Sequence, residues 1–73
     1  MRSLERITFD DKICSGKACI RGMRWPVEVL LEMLASGMTN KQILDDHPEL
    51  EIEDIRAALL YASLSVSGFK VYK

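Results

Sequence analysis

Cys14 and Cys19 bracket the tetrapeptide Ser15-Gly16-Lys17-Ala18, and the only histidine, His47, stands far from both, next to Pro48. Zinc needs four ligands, or three with an open position. A C-x4-C pair with one remote histidine supplies neither, so structural thiols are expected here and no metal site. The segment has the Gly-Lys of a phosphate loop but not its frame. A Walker loop requires Gly, four residues, Gly-Lys-Ser/Thr and then a helix, whereas Gly16-Lys17 leads into Ala18 and an extended stretch. The Cys-to-Arg spacing of a cysteine phosphatase is missed by one residue from Cys14, and from Cys19 the required place holds Trp25. No Ser-His-Asp or Cys-His-Asn set can be assembled around one histidine beside a helix-breaking proline. Asp45 and Asp46 are adjacent, so on a helix they do not face each other. No catalytic residue, metal ligand or cofactor follows from these residues, and the chain is expected not to be an enzyme.

The elements that would position a binding surface are clearer. Arg6-Ile7-Thr8-Phe9 alternates as a short strand does, residues 10–19 read as a loop, and Ile20 to Val27 reads as a second extended stretch with Met23, Trp25 and Val27 on one parity. The expectation is a β ribbon and loop over residues 6–27. Pro26 suits a helix's first turn. Val27, Leu30, Leu31 and Leu34 then repeat at i, i+3, i+4, i+7, and Gly37 provides a stop, predicting a helix over 27–37. Thr39 and Gln42 form a T-x-x-Q capping box flanked by the Met38/Ile43 hydrophobic staple, which starts a helix over 40–46 that Pro48 closes. Around Glu51 the same grammar recurs with a weaker cap. Ile55, Ala58, Leu59 and Ala62 mark the buried stripe of a helix over 52–65, and residues 66–73 form a tail. The fold class is therefore mainly α, a small α+β domain spanning residues 1–73. A short helix, a five-residue connection and a longer helix have the proportions of a helix-turn-helix; another orthogonal three-helix packing fits the same pattern.

Composition limits what such a domain can do. A chain of 73 residues buries only about 60–65% of its unfolded surface. With 48% hydrophobic residues it leaves apolar area that a homodimer or protein partner would cover. No stretch approaches the ~18 apolar residues of a membrane span. The N-terminus lacks the apolar run of an export signal, so a cytoplasmic location is expected. Charge is uneven: residues 1–26 carry six basic residues against three acidic, residues 27–65 carry two against eight, and Lys70 and Lys73 follow. In a DNA-binding helix-turn-helix the second helix enters the major groove by its N-terminal end. Here Glu49, Glu51, Glu53 and Asp54 crowd that end and would repel phosphates. Two readings follow. One is DNA binding by a dimer through Lys41, Arg56, Lys17, Arg21 and Arg24. The other is protein recognition through Trp25, Leu60 and Tyr61, with Glu53, Arg56, Ala57 and Leu60 lying opposite the buried stripe.

The segments Arg6-Ile7-Thr8-Phe9-Asp10, Ile13-Cys14-Ser15-Gly16-Lys17, Cys19-Ile20-Arg21-Gly22, Pro26-Val27 and Leu31 to Gly37 resemble the "domain of unknown function 433" family. Gln42-Ile43-Leu44, Pro48-Glu49-Leu50 and Glu53 to Leu59 continue the resemblance, which covers about residues 5–63. The family pattern has proline at Asp11 and Ala18, threonine at Met23, isoleucine or valine at Trp25, and a serine or threonine cap at Glu51. The resemblance implies a homeodomain-like, winged or unwinged, helix-turn-helix and no agreed catalytic residues. It also implies, for many members, a VapB-like antitoxin role beside a PIN-like ribonuclease, with autorepression of the operon. A PIN nuclease gathers acidic residues around a metal ion, and the tail offers Lys70 and Lys73, alternating with Phe69 and Tyr72, to fill such a site. The expected function is thus that of an antitoxin binding a PIN-like toxin, with operator DNA as a second partner. The alternative is a protein–protein adaptor whose helix-turn-helix never meets DNA.

Overall fold

A computed structural model describes residues 2–68. After a 3₁₀ segment, Arg2–Arg6, the chain forms a two-stranded antiparallel sheet in which β1 (Ile7–Thr8) pairs with β2 (Cys19–Ile20), Ile7 opposite Ile20 and Thr8 opposite Cys19. A second 3₁₀ turn, Cys14–Gly16, lies in the loop between the strands. Three helices follow: α1 (Val27–Ala35), α2 (Asn40–Asp46) and α3 (Ile52–Val66). The expected small α+β architecture is present, a two-stranded ribbon ahead of three helices. Among the described residues no helix is long and apolar enough to cross a membrane.

The ribbon is shorter than its sequence pattern suggested. The second strand stops at Ile20 because Arg21 and Gly22 both adopt left-handed backbone, with φ of 45° and 70°. Met23 N–H donates to the Ile20 carbonyl at 2.8 Å and closes the turn. Positive φ at both central residues is the hairpin-turn geometry that reverses a twisted strand tightly. The returning chain stays bridged at Cys19 and Pro26, through Ile20 N–H to the Trp25 carbonyl at 3.0 Å and Val27 N–H to the Ala18 carbonyl at 2.9 Å. Met23 and Trp25 therefore leave the strand and pack half-buried against the core.

The helix boundaries follow local chemistry. Pro26 caps α1 from outside with extended ψ of 137°, rather than occupying its first turn. At the other end Gly37, with φ of 98°, donates to Leu34 at 3.0 Å, and Met38 donates to Met33 at 3.2 Å. That double contact satisfies two orphan carbonyls and ends α1 at Ala35, two residues before Gly37. The Thr39 capping box forms as expected: Gln42 N–H donates to Thr39 Oγ1 at 3.1 Å, and Thr39 N–H to Gln42 Oε1 at 2.8 Å. Ile43 is fully buried and Met38 packs against the same core, completing the staple.

α3 is rotated relative to the expected stripe. Ile55 and Ala58 are buried as anticipated, but Leu59 is 47% exposed, while Ala57, assigned to the outer face, is fully buried. The cause is Asp54, whose side chain also points inward and is wholly buried. Turning the helix to admit Asp54 carries Ala57 in and swings Leu59 out, and the small Ala57 side chain leaves room for close packing. Ile7, Ile20, Val27, Leu30, Ile43 and Leu50 complete the core around that face.

Because the Thr39 cap serves a helix of only seven residues, Thr39→Ala is expected to lower stability by about 1 kcal/mol. Thr39→Ser should retain most of it, as read from urea-unfolding midpoints.

Candidate interaction surface

Two surfaces draw on the residues singled out by the sequence. The first is an open groove of about 300 Å³ lined by Lys17, Ala18, Val27, Glu28, Leu31 and Tyr61. It forms because Val27 N–H donates to the Ala18 carbonyl at 2.9 Å, tying the inter-strand loop to the start of α1. Lys17 Nζ donates to Glu28 Oε1 at 2.7 Å across the rim, and both side chains are largely exposed. Tyr61 comes from α3, its ring tilted 54° against Phe9 with centroids 6.2 Å apart. The walls are apolar and the rim carries one cation and one anion, a lining suited to an amphipathic segment rather than to a phosphate backbone.

The second surface is the outer side of α3, where Leu59 (47%) and Val66 (89%) are exposed two turns apart. Leu60 lies half-buried beside it. Tyr61 follows Leu59 by two residues and so points to the other flank of the helix.

The basic residues that could meet DNA do not converge. Arg21 is held by Asp54: Nε donates to Oδ1 at 2.9 Å and Nη2 to Oδ2 at 2.8 Å, with a further donation from Nη2 to the Glu49 carbonyl at 2.9 Å. Lys41 pairs with Asp45 at 2.8 Å along α2, and Arg56 with Glu53 at 3.2 Å along α3. With Lys17 on Glu28, Arg24 alone of the five stands without an ion pair among the described residues. Trp25 is no free anchor either. Its Nε1 donates to Glu49 Oε2 at 2.8 Å and its ring meets His47 edge-on at 4.8 Å. The tail residues Phe69, Lys70, Tyr72 and Lys73 lie outside the described residues.

The residue that pattern reading missed is Arg6. Its Nη1 donates to Asp54 Oδ1 and to Glu51 Oε1, each at 2.8 Å. Glu51 N–H donates to Asp54 Oδ2 at 2.8 Å, so one carboxylate caps α3 and receives two guanidiniums. Burial pushes the Asp54 carboxyl up, but the Arg21 hydrogen bonds, the Glu51 backbone and Arg6 outweigh it and hold the group below the ordinary carboxylate range. Hydrogen bonding to Asp54 raises Arg21 further above its usual range, and bonds to Glu51 and Asp54 do so for Arg6. The local signal was the acidic third position of α3 behind a poor cap, and nothing local pointed to Arg6. Among the described residues no three His, Cys, Asp or Glu side chains gather as metal ligands.

The chain matches the family described as protein of unknown function (DUF433) over residues 7–62. It belongs to the DUF433 family. Its structure is similar to the crystal structure of a DUF433 member protein from Anabaena variabilis, with a TM-score of 0.78 and 31% sequence identity. That likeness covers 88% of this chain and 63% of the other, so this DUF433 chain spans under two thirds of that protein's length. None of the curated proteins matches it. The matched DUF433 region holds Arg21 and Asp54 and begins one residue after Arg6.

Removing Asp54 leaves Arg21 without its carboxylate partner and Arg6 with Glu51 alone. Asp54→Ala should cost about 3 kcal/mol, the low end for breaking a buried pair, because both guanidiniums keep some solvent access. The pH dependence has a definite sign. With a folded pKa below its unfolded value, Asp54 contributes stability that is full above about pH 5 and lost as pH falls through the depressed folded value. Thermal melts from pH 6 down to pH 2 should therefore fall more steeply for the native chain than for Asp54→Asn.

Proposed function

We propose that this chain is a non-catalytic binding module that seats a protein partner in the Tyr61 groove. In the cell that role is the antitoxin of a type II pair whose toxin is a PIN-like ribonuclease. The observation that carries the reading is the groove itself: an apolar cleft between α1, α3 and the Lys17 loop, on a chain whose candidate DNA contacts are mostly committed to internal ion pairs. The class of partner rests on the family resemblance, and the apolar lining of the groove supports the choice of contact. The exposed Leu59 and Val66 stripe on α3 suits a second copy of the chain, giving a homodimer that leaves the grooves open. The basic tail is assigned to the acidic metal site of the nuclease.

The test is co-expression with a PIN-like nuclease, read as growth rescue, together with binding of the purified pair. Tyr61→Ala should weaken binding by at least about 2 kcal/mol, roughly 30-fold, as loss of an aromatic anchor does. Lys41→Glu on α2, away from the groove, should leave it unchanged. Equal binding by both variants would move the interface off the groove. Deleting residues 68–73 should abolish inhibition of the nuclease while the groove contact persists.

Repression of its own operon is a second role, favoured by the short-helix, turn, longer-helix order of α2 and α3 and by Arg24, which has no ion pair among the described residues. With Glu49, Glu51 and Glu53 around the start of α3, the chain alone should show no sequence-preferring binding to DNA from upstream of its gene at micromolar concentration. Fluorescence anisotropy at two salt concentrations reads this directly, and sequence-preferring, steeply salt-dependent binding by the chain alone would make DNA the primary partner.

A further inference from the structure

Cys14 and Cys19 have no part in the surfaces described above, yet the loop brings them together. Both are free thiols; Cys19 is only 2% exposed in β2, and Cys14 is half-buried at the start of the Cys14–Gly16 turn. Cys14, Ser15 and Gly16 take left-handed backbone in succession, with φ of 53°, 57° and 82°. Two of the three are not glycine, so the turn is strained at its cysteine. Lys17 N–H closes it by donating to the Cys14 carbonyl at 3.1 Å. The chain then doubles back and sets the Cys14 side chain beside that of Cys19. The Lys17 ammonium lies near both sulfurs, and the Trp25 backbone favours the charged form of Cys19. An accessible thiol, a buried thiol in contact with it and a cation beside both are the parts of a dithiol that exchanges with disulfides.

We propose that Cys14 and Cys19 form a redox-reactive dithiol site whose substrates are small disulfides, R–S–S–R, and whose product is an intramolecular Cys14–Cys19 bond. Cys14 gives its proton to solvent and its thiolate attacks one sulfur of R–S–S–R. The R–S⁻ that leaves takes up a proton, and a Cys14–S–S–R mixed disulfide remains. Cys19 then loses its proton and attacks Cys14 Sγ, expelling the second R–S⁻, which is protonated in turn. Two cysteines lose two electrons and two protons, and the small disulfide gains them as two R–SH. Burial, with the Cys14 contact, pushes the Cys19 thiol up to about 11. Cys19 therefore stays protonated at rest and serves as the resolving group, while Cys14 is the site of first attack. Lys17 and Ala18 lie inside the ring this bond closes and also line the groove, so oxidation acts on the groove wall. That consequence rests on the groove reading; the disulfide does not.

The test uses the full chain, reduced and desalted, then incubated with oxidised glutathione at neutral pH and quenched in acid for intact-mass and peptide analysis. The expected product is a monomer lighter by two hydrogen atoms. It carries no glutathione and no thiol open to maleimide after denaturation, and a peptide links Cys14 to Cys19. Cys19→Ala should accumulate a glutathione adduct on Cys14, and Cys14→Ala should react at least about tenfold more slowly than the native chain. A native chain that keeps glutathione on Cys14 while Cys19 remains alkylatable would overturn the proposal. So would two unreactive thiols or a disulfide-linked dimer. The native product alone decides the matter if a variant does not fold, and none of these readouts depends on a protein partner.

Discussion

A carboxylate removed from water must be neutralised and hydrogen-bonded, or it destabilises whatever surrounds it. In this chain that group is Asp54, and much of the fold is arranged to satisfy it. Arg6 reaches it across 48 residues and Arg21 across 33, while the Glu51 backbone at the head of α3 supplies a third kind of donor. One side chain thereby fixes the N-terminal 3₁₀ segment, the turn after β2 and the start of the longest helix relative to one another. The turn depends on it in a specific way. Arg21 sits at φ of 45°, a left-handed conformation that costs an L-residue about 1–2 kcal/mol. The bidentate, charge-assisted contact to Asp54 is of the size needed to hold it there.

The same network changes the meaning of the charge distribution. A basic N-terminal third and an acidic middle look, in sequence, like a surface divided between attraction and repulsion of polyanions. In the fold they answer each other: Arg6 and Arg21 meet Asp54, Arg6 also meets Glu51, and Lys17 meets Glu28. Around these carboxylates at the head of α3 runs a rim of Glu49, which accepts from Trp25, and Glu53, which pairs with Arg56. Salt would weaken the exposed pairs first, since an exposed ion pair contributes only about 0–1 kcal/mol and is screened. The Asp54 cluster would persist, and with it the placement of the groove wall.

Local chemistry was legible in the sequence wherever one element sufficed to decide it. Thr39 with Gln42, Met38 with Ile43, Gly37 as a left-handed stop and the Val27/Leu30 stripe each act within a few residues, and each appears as read. Legibility ended where a residue's role depended on a distant partner. Helical periodicity sorts side chains by polarity, so it sends every Asp outward. An Asp that two remote arginines draw inward violates the rule without leaving a local trace. The error then propagates along the helix, exchanging Ala57 and Leu59 between the inner and outer faces. The ribbon is present, but its second strand is shorter than the pattern suggests, for a related reason. Alternation from Ile20 to Val27 reads as a strand, but Arg21 can take the first position of a left-handed turn only because Asp54 holds it. The groove was illegible because its walls come from three separated segments of chain. Of its lining, the sequence marks Tyr61 as a protein anchor and Lys17 as a phosphate contact.

The orientation of α3 is the point at which fold and binding meet. Its inner face is core. Tyr61 on one flank closes the groove, and Leu59 and Val66 on the outer side stand about 10 Å apart, two helical turns along an exposed apolar line. Were Asp54 turned to solvent, as periodicity alone would have it, the helix would roll. Leu59 would enter the core, Ala57 would replace it at the surface, and Tyr61 would leave the wall it shares with Val27 and Leu31. A chain of 73 residues with a thin core has little else to resist that roll, because Ala57 and Ala58 contribute small buried areas. The buried carboxylate therefore does more than cap a helix. It selects which apolar side chains face outward, and hence which surfaces the chain can offer to a second copy of itself or to another protein.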